Sequence, residues 1–211
     1  MILIFLGPPG SGKGTQAKKL AEKLRLCHIA LGDILRETIR EGSEVGKKAK
    51  AYVEAGKLVP DEVTIEITKQ RLSRDDCSLG FILDGFPRSI GQAEALTEFL
   101  NGRDHRVLYF KVPLSLVIER NVGRLSCANC GAVYHEKFNP PKKEGICDIC
   151  GGTLYRRADD TEEVIKTRFK VYEESTAPVV DYYEKKGNMI SINAAGSIDE
   201  VFERMIKALG V

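Results

Sequence analysis

Ile2-Leu3-Ile4-Phe5-Leu6-Gly7-Pro8-Pro9-Gly10-Ser11-Gly12-Lys13-Gly14-Thr15 opens the chain and decides its fold class. Residues 2–6 form a continuous apolar run of strand length, which is how a parallel strand buried on both faces reads. Glycines follow, and Ala17, Leu20, Ala21 and Leu24 then recur at helical spacing. Strand, glycine-rich loop and helix together make an anion site. Backbone N–H groups converge on phosphate, the helix N-terminus adds its dipole, and a lysine, here Lys13, reaches the outer phosphates. Gly10, Ser11, Gly12, Lys13, Gly14 and Thr15 are therefore the candidate phosphate-binding residues. Gly14 departs from the generic pattern, which puts Ser or Thr directly after the lysine; the hydroxyl comes one place later, at Thr15.

Further strands are expected at Phe81-Ile82-Leu83, Val107-Leu108-Tyr109-Phe110 and Met189-Ile190-Ser191-Ile192. Helical patterns run between them: Ile90, Ala93, Leu96 and Leu100; Leu114, Val117 and Ile118; Ile165, Arg168, Val171 and Tyr172. A last helix carries Ile198, Val201, Phe202, Met205 and Leu209 on one face. Alternating strands and helices predict an α/β fold with a central parallel sheet covered on both sides. Two stretches break the rhythm. Residues near 30–60 are mostly helical and short of strand signals, and residues near 123–160 hold cysteine pairs and Asn139-Pro140-Pro141-Lys142. Both read as excursions from loops of the sheet.

The 211 residues suit one domain with an insertion, or at most two small ones, and a 43% hydrophobic share can supply a sizeable core. Charge nearly balances, with 32 Lys and Arg against 30 Asp and Glu, so no basic field marks the chain as a nucleic-acid or membrane-surface binder. The longest apolar runs fall far short of a membrane span, and Gly7-Pro8-Pro9-Gly10 cuts off the first before it can act as a signal segment. A cytoplasmic enzyme is expected.

Four of the six cysteines explain themselves by spacing. Cys127-x2-Cys130 and Cys147-x2-Cys150, with 16 residues between the pairs, form the pattern of a four-thiolate zinc site. Gly131 and Gly151-Gly152 follow where such knuckles need positive φ. The competing reading, two disulfides, needs an oxidising compartment. Four protein ligands leave no open position for water, so this metal would be structural. Cys27 and Cys77 have no comparable partners and are expected to be reduced thiols behaving as small hydrophobes.

Gly7–Gln16, GPPGSGKGTQ, closely resembles the phosphate loop of adenylate kinases. The resemblance continues at Gly32-Asp33-Ile34-Leu35-Arg36, Gly56-Lys57-Leu58-Val59-Pro60-Asp61 and Asp84-Gly85-Phe86-Pro87-Arg88. It extends through Gly123-Arg124, Val133-Tyr134-His135, Asn139-Pro140-Pro141, Arg157-Ala158-Asp159-Asp160 and Arg168, in the family's order along the whole chain. With the lid cysteines, the chain is similar to long-form adenylate kinases whose lid holds zinc. The resemblance implies a five-stranded parallel P-loop core at residues 1–29, 60–122 and 161–211. It also implies a monophosphate-binding excursion at 30–59 and a zinc-bearing lid at 123–160.

It further implies transfer of the terminal phosphoryl of ATP to AMP, giving two ADP, with both excursions closing to exclude water. On the donor side it places Gly10–Thr15, Arg120 against the adenine, Arg124, Val133, Tyr134 and Gly196. On the acceptor side it places Leu31, Arg36, Lys57, Leu58, Val59, Gly85, Arg88 and Gln92, with Arg157 and Arg168 bridging toward both. Lys13, Arg88, Arg124, Arg157 and Arg168 form the catalytic set. Arginine suits it, because planar, permanently charged forks grip phosphate bidentately. Asp84, ending an apolar strand, can hold Mg²⁺ directly or through its waters, or else serve as a turn aspartate ahead of Gly85; the resemblance assigns the magnesium role. A monomer with only small-molecule partners follows, without nucleic acid or membrane.

Some readings stay open from the residues alone. Asp159 and Asp160 can latch the lid or cap the helix beginning near Thr161. Tyr134 can pack near the donor base or serve the lid's own structure. His28, His105 and His135 lack partners for general-base work. Leu31 stands where the family usually has Thr, which leaves a kinase for UMP, CMP or GMP as the rival within the class. From another class, a P-loop sensor could use its cysteine knuckles with Lys142, Lys143, Arg156 and Arg157 to hold nucleic acid.

Overall fold

The computed structural model describes all 211 residues. The opening run is strand β1 (Ile2–Leu6), buried at every position, and Lys13–Leu24 is helix α1. There follow β2 (Cys27–Ala30), α2 (Leu31–Arg40), α3 (Glu44–Glu54), α4 (Asp61–Leu72), β3 (Phe81–Asp84), α5 (Ile90–Leu100), β4 (Arg106–Lys111) and α6 (Leu114–Val122). The chain continues through β5 (Arg124–Cys127), β6 (Val133–His135), β7 (Leu154–Tyr155), α7 (Glu162–Val171), α8 (Ala177–Lys185), β8 (Met189–Asn193) and α9 (Ile198–Leu209). Two further segments complete it, a tighter 3₁₀ turn at Asp75–Cys77 and a wider π turn at Tyr172–Thr176 joining α7 to α8.

Five strands form one parallel sheet in the order β2-β3-β1-β4-β8. Alternation along β1 divides the core. Ile2, Ile4 and Leu6 enter one cluster of 20 buried residues, whereas Leu3 and Phe5 enter another of 14 with Ala17, Leu20, Phe202 and Met205 from α1 and α9. Helices therefore cover both faces, as the continuous apolar strands require.

β2 is the strand that periodicity misses. Its four residues, Cys-His-Ile-Ala, bury only Ile29 fully, because it lies at the sheet edge with one neighbour. The expectation that residues near 30–60 are helical is met by α2 and α3, but the sheet reaches Ala30 before they begin.

The second break in the rhythm is a small antiparallel sheet in the order β6-β5-β7. Its core holds only five buried residues, Cys127, Ala132, Tyr134, Cys147 and Leu154. Parallel strands all end at one edge of the main sheet. The turn at Gly7, the entry to α2 at Leu31 and the carboxylate of Asp84 therefore converge there, the usual ligand-binding edge of such sheets.

Candidate active site

Geometry at the phosphate loop begins with Gly10, at φ 77°. A Cβ there would lie 2.1 Å from Asn121 Nδ2 and 2.9 Å from the Val117 carbonyl, so the loop can pack on α6 only as glycine. At Gly14 a Cβ would come within 3.2 Å of Asp84 Oδ2. The departure from the generic motif thus has a local reason: glycine leaves room between the first turn of α1 and the carboxylate ending β3. Lys13 Nζ donates to the carbonyls of Gly7 at 2.7 Å and Pro8 at 2.9 Å, and to Ser11 Oγ at 3.2 Å. Burial lowers its pKa to about 8, partly opposed by the Asp84 charge.

A cavity of about 1370 Å³ opens above this edge, between the main sheet and the small antiparallel sheet. Every residue predicted for the phosphate loop, the donor and the acceptor lines it, as does Asp84. Arg124, Arg157 and Arg168 turn inward, their side chains only 15%, 12% and 17% exposed. Burial pulls the guanidinium pKa of Arg157 and Arg168 down to about 10, and neighbouring arginines add to the effect: Arg36 and Arg124 for Arg157, Arg124 and Arg88 for Arg168. Arg88 is lowered by burial too. Desolvated, mutually repelling cations around one cavity are relieved by a polyanion.

Three aspartates hold the arginines. Asp160 pairs with Arg124, its Oδ2 accepting from Nε at 2.7 Å. Asp159 Oδ2 accepts from Arg168 at 2.9 Å, and Asp33 pairs with Arg36 and lies 3.6 Å from Arg157. The open choice for Asp159 and Asp160 is resolved toward ion pairs, since the N-cap of α7 is Thr161, whose side chain accepts from Val164 N. Asp33 went unassigned in the sequence; its one signal was the i,i+3 spacing to Arg36.

Other side chains are more committed than their sequence roles suggest. Gln92 is buried, with Nε2 donating to Asp61 Oδ1 at 2.7 Å and Thr64 Oγ1 at 3.1 Å, and Oε1 accepting from Arg88 N at 2.7 Å. Both of its amide protons are taken. The Tyr134 hydroxyl accepts from Asp148 N at 2.8 Å and lies 3.6 Å from Cys147 Sγ, so that end of the ring supports the cysteine knuckle. Arg120 donates to the carbonyls of Ala194 at 3.0 Å and Gly196 at 2.9 Å, tying α6 to the loop before α9.

In the small sheet, the sulfurs of Cys127, Cys130, Cys147 and Cys150 all lie within 4.8 Å of one another. Cys127 and Cys150 are 3.5 Å apart, and Cys130 and Cys147 are 3.6 Å apart. Tetrahedral arms of about 2.3 Å set sulfurs roughly 3.8 Å apart, so the donor set fits one tetrahedral thiolate metal. Gly131 and Gly151 take φ of 66° and 70°, as the knuckles require. Cys27 and Cys77 are free thiols packed in the apolar core as expected, but they are not without partners: their sulfurs lie 3.2 Å from each other.

Fold and cavity define a P-loop nucleotide-binding protein of the phosphoryl-transfer class, with one lysine and a ring of buried arginines facing a large cleft. The family model described as "Adenylate kinase" matches residues 5–188. Proteins named adenylate kinase from Clostridioides difficile (strain 630) and Caldicellulosiruptor bescii are each 50% identical to this chain. The match covers 100% of the chain in both cases, and 99% and 100% of those proteins respectively. One from Clostridium botulinum (strain 657) is 52% identical over 100% of the chain and 99% of its own length. The chain belongs to the adenylate kinase family and is an enzyme of that family.

Proposed function

We propose that this enzyme reversibly transfers the terminal phosphoryl group of ATP to AMP, giving two ADP. The observation that carries the reading is the single cavity into which Lys13, Arg36, Arg88, Arg124, Arg157 and Arg168 all face. Two nucleotides bring many phosphate charges, and phosphoryl transfer needs mainly positioning and charge stabilisation from the protein. Gly10–Thr15, Arg120, Arg124, Val133, Tyr134 and Gly196 take the donor. Leu31, Arg36, Lys57, Leu58, Val59, Gly85, Arg88 and Gln92 take the acceptor, and Arg157 and Arg168 reach both.

Phosphates arriving from the two sides draw the arginines away from Asp33, Asp159 and Asp160 onto the substrate, where Lys13 and the arginines stabilise charge on the moving group. Asp84 faces the space kept by Gly14 and would hold Mg²⁺ through water. The ion supplies charge neutralisation on the donor phosphates when bound. Residues 30–59 and 123–160 act as covers over acceptor and donor, and residues 1–29, 60–122 and 161–211 as the core. Their closure keeps water from the donor. Zinc on the four cysteines gives the small lid the stability its five-residue core lacks.

No helix is long and apolar enough to cross a membrane, and we assign a monomer working in the cytoplasm on small molecules alone. The test is kcat/KM for AMP, GMP, CMP and UMP with ATP as donor. AMP is expected to lead; a higher value for any other acceptor rejects the adenylate assignment and leaves a monophosphate kinase of different specificity.

A further inference from the structure

Away from the cavity, Cys27 and Cys77 meet where β2 begins and the 3₁₀ turn before β3 ends. Their sulfurs are 3.2 Å apart, inside ordinary non-bonded contact, and closing to a disulfide needs a shift of roughly 1 Å. Arg71, at the end of α4, straddles the pair. Its Nη1 donates to Cys77 Sγ and its Nη2 to Cys27 Sγ, both at 3.1 Å, while Asp76 accepts from the same two nitrogens at 2.9 and 2.7 Å and lies 3.4 Å from Cys27 Sγ and 3.5 Å from Cys77 Sγ.

Asp76 and the two thiols also form a three-ligand cluster of the kind that can hold a metal. The guanidinium decides against it, because a fixed cation already takes the lone pairs of both sulfurs and the carboxylate.

We propose that Cys27 and Cys77 are a redox-active pair that closes to an intramolecular disulfide under peroxide, stapling the base of the segment that carries α2 and α3. Cys27, half-buried, is the sulfur that peroxide can reach, whereas Cys77 is buried and its thiol is pushed up to about 12 by that burial and by Cys27. Cys27 sulfur attacks one oxygen of hydrogen peroxide. The O–O bond breaks, hydroxide leaves and is protonated to water, and Cys27 becomes a sulfenic acid. Cys77 sulfur then attacks Cys27 sulfur, the S–O bond breaks, and a second water leaves with the Cys77 proton. Two thiols and one peroxide give one disulfide and two waters, the peroxide taking both electrons.

The bond would close a loop between positions 50 apart, enclosing α2, α3 and α4. A closed loop of that size restricts the unfolded chain, so the oxidised protein resists unfolding. Leu26 and His28 line the substrate cavity but neither Cys27 nor Cys77 does, and the phosphate-binding groups lie at the far ends of the strands, so the staple leaves the chemistry untouched.

The metal-loaded wild-type protein is treated with one equivalent of hydrogen peroxide, alkylated, digested with trypsin and mapped by mass. Peptides 26–36 and 75–88 are expected joined, two hydrogens lighter than their sum. The melting temperature is expected to rise by about 5 °C or more and to return with dithiothreitol. Turnover should stay within about two-fold. Cys27→Ser should lose both the link and the reductant-dependent shift.

Four results would overturn the proposal. The two peptides could be recovered separately, alkylated or as sulfinic acid, or the link could leave the melting temperature unchanged. The linked protein could be inactive. Finally, a second metal ion per chain could be present that disappears in Cys27→Ser.

Discussion

Lys13 shows how a single residue carries both the assignment and its test. Its ammonium is desolvated in the loop, where the Gly7 and Pro8 carbonyls and Ser11 accept its protons. Donor phosphates would replace those neutral partners with formal charge. Lys13→Met is therefore expected to lower kcat by at least about 100-fold, the scale of losing one electrostatic stabiliser. A kcat within a few-fold of wild type would remove the phosphate-loop role.

The lowered pKa adds a pH signature. With a folded value about 8 against 10.5 unfolded, the buried charge opposes folding below about pH 8, and that penalty fades as pH rises from the folded toward the unfolded value. ATP should pull the pKa back up, so binding near pH 8.5 should take up protons. Calorimetry in buffers of differing ionisation enthalpy reads this directly, and buffer-independent heats would contradict it.

At Gln92 the committed amide changes the expected phenotype. Gln92→Ala leaves Arg88 N without its acceptor and Asp61 Oδ1 without its donor, Ser89 still serving Oδ2, each loss worth roughly 1–3 kcal/mol when buried. It should lower the melting temperature as well as raise KM for AMP. Leu31→Thr, by contrast, replaces a buried apolar group at the start of α2 and is expected to alter KM for AMP by only a few-fold. Kinetics and melting of both variants, side by side, separate the two cases.

Elements differ in how they are held. The five-stranded sheet has two apolar clusters and needs nothing more, but the β6-β5-β7 sheet has five buried residues, two of them cysteines of the four-sulfur cluster. Removing its metal should lower the melting temperature more clearly than activity at moderate temperature, because Lys13 and the acceptor side lie outside it. Metal content near zero in the native protein, with Cys127 and Cys147 freely alkylated, would exclude the zinc role.

α7 and the strands of the small sheet are joined through Asp159 and Asp160 to Arg168 and Arg124. Asp160 is almost fully buried, so Asp160→Asn leaves Arg124 with an uncompensated charge. The variant should melt lower than wild type when empty, and saturating ATP should close much of the gap by supplying phosphate in place of the carboxylate. An equal deficit with and without ATP would mean that the pair is not exchanged for phosphate.

For the molecule as a whole, what was legible in the amino-acid order depended on how local its cause is. The phosphate loop, four of the five core strands and the metal knuckles rest on contiguous apolar runs, glycines and short cysteine spacings, and these write themselves directly into sequence. The family blocks added the arginines. β2 stayed hidden because an edge strand buries little and so shows no apolar run. The Asp33, Asp159 and Asp160 partners, the filled amide of Gln92 and the support Tyr134 gives the knuckle also waited for the fold. Each is decided by which groups arrive nearby once the chain has packed. Cys27 and Cys77 mark that boundary most plainly. Fifty positions apart, they look like unrelated small hydrophobes, and only the parallel pairing of β2 beside β3 sets their sulfurs in contact. Sequence alone determined the chemistry available and the strand-loop-helix that receives phosphate, since both follow from neighbouring residues. Tertiary structure decided which charges face one another and which thiols meet, since those distances exist only after burial has fixed the sheet order.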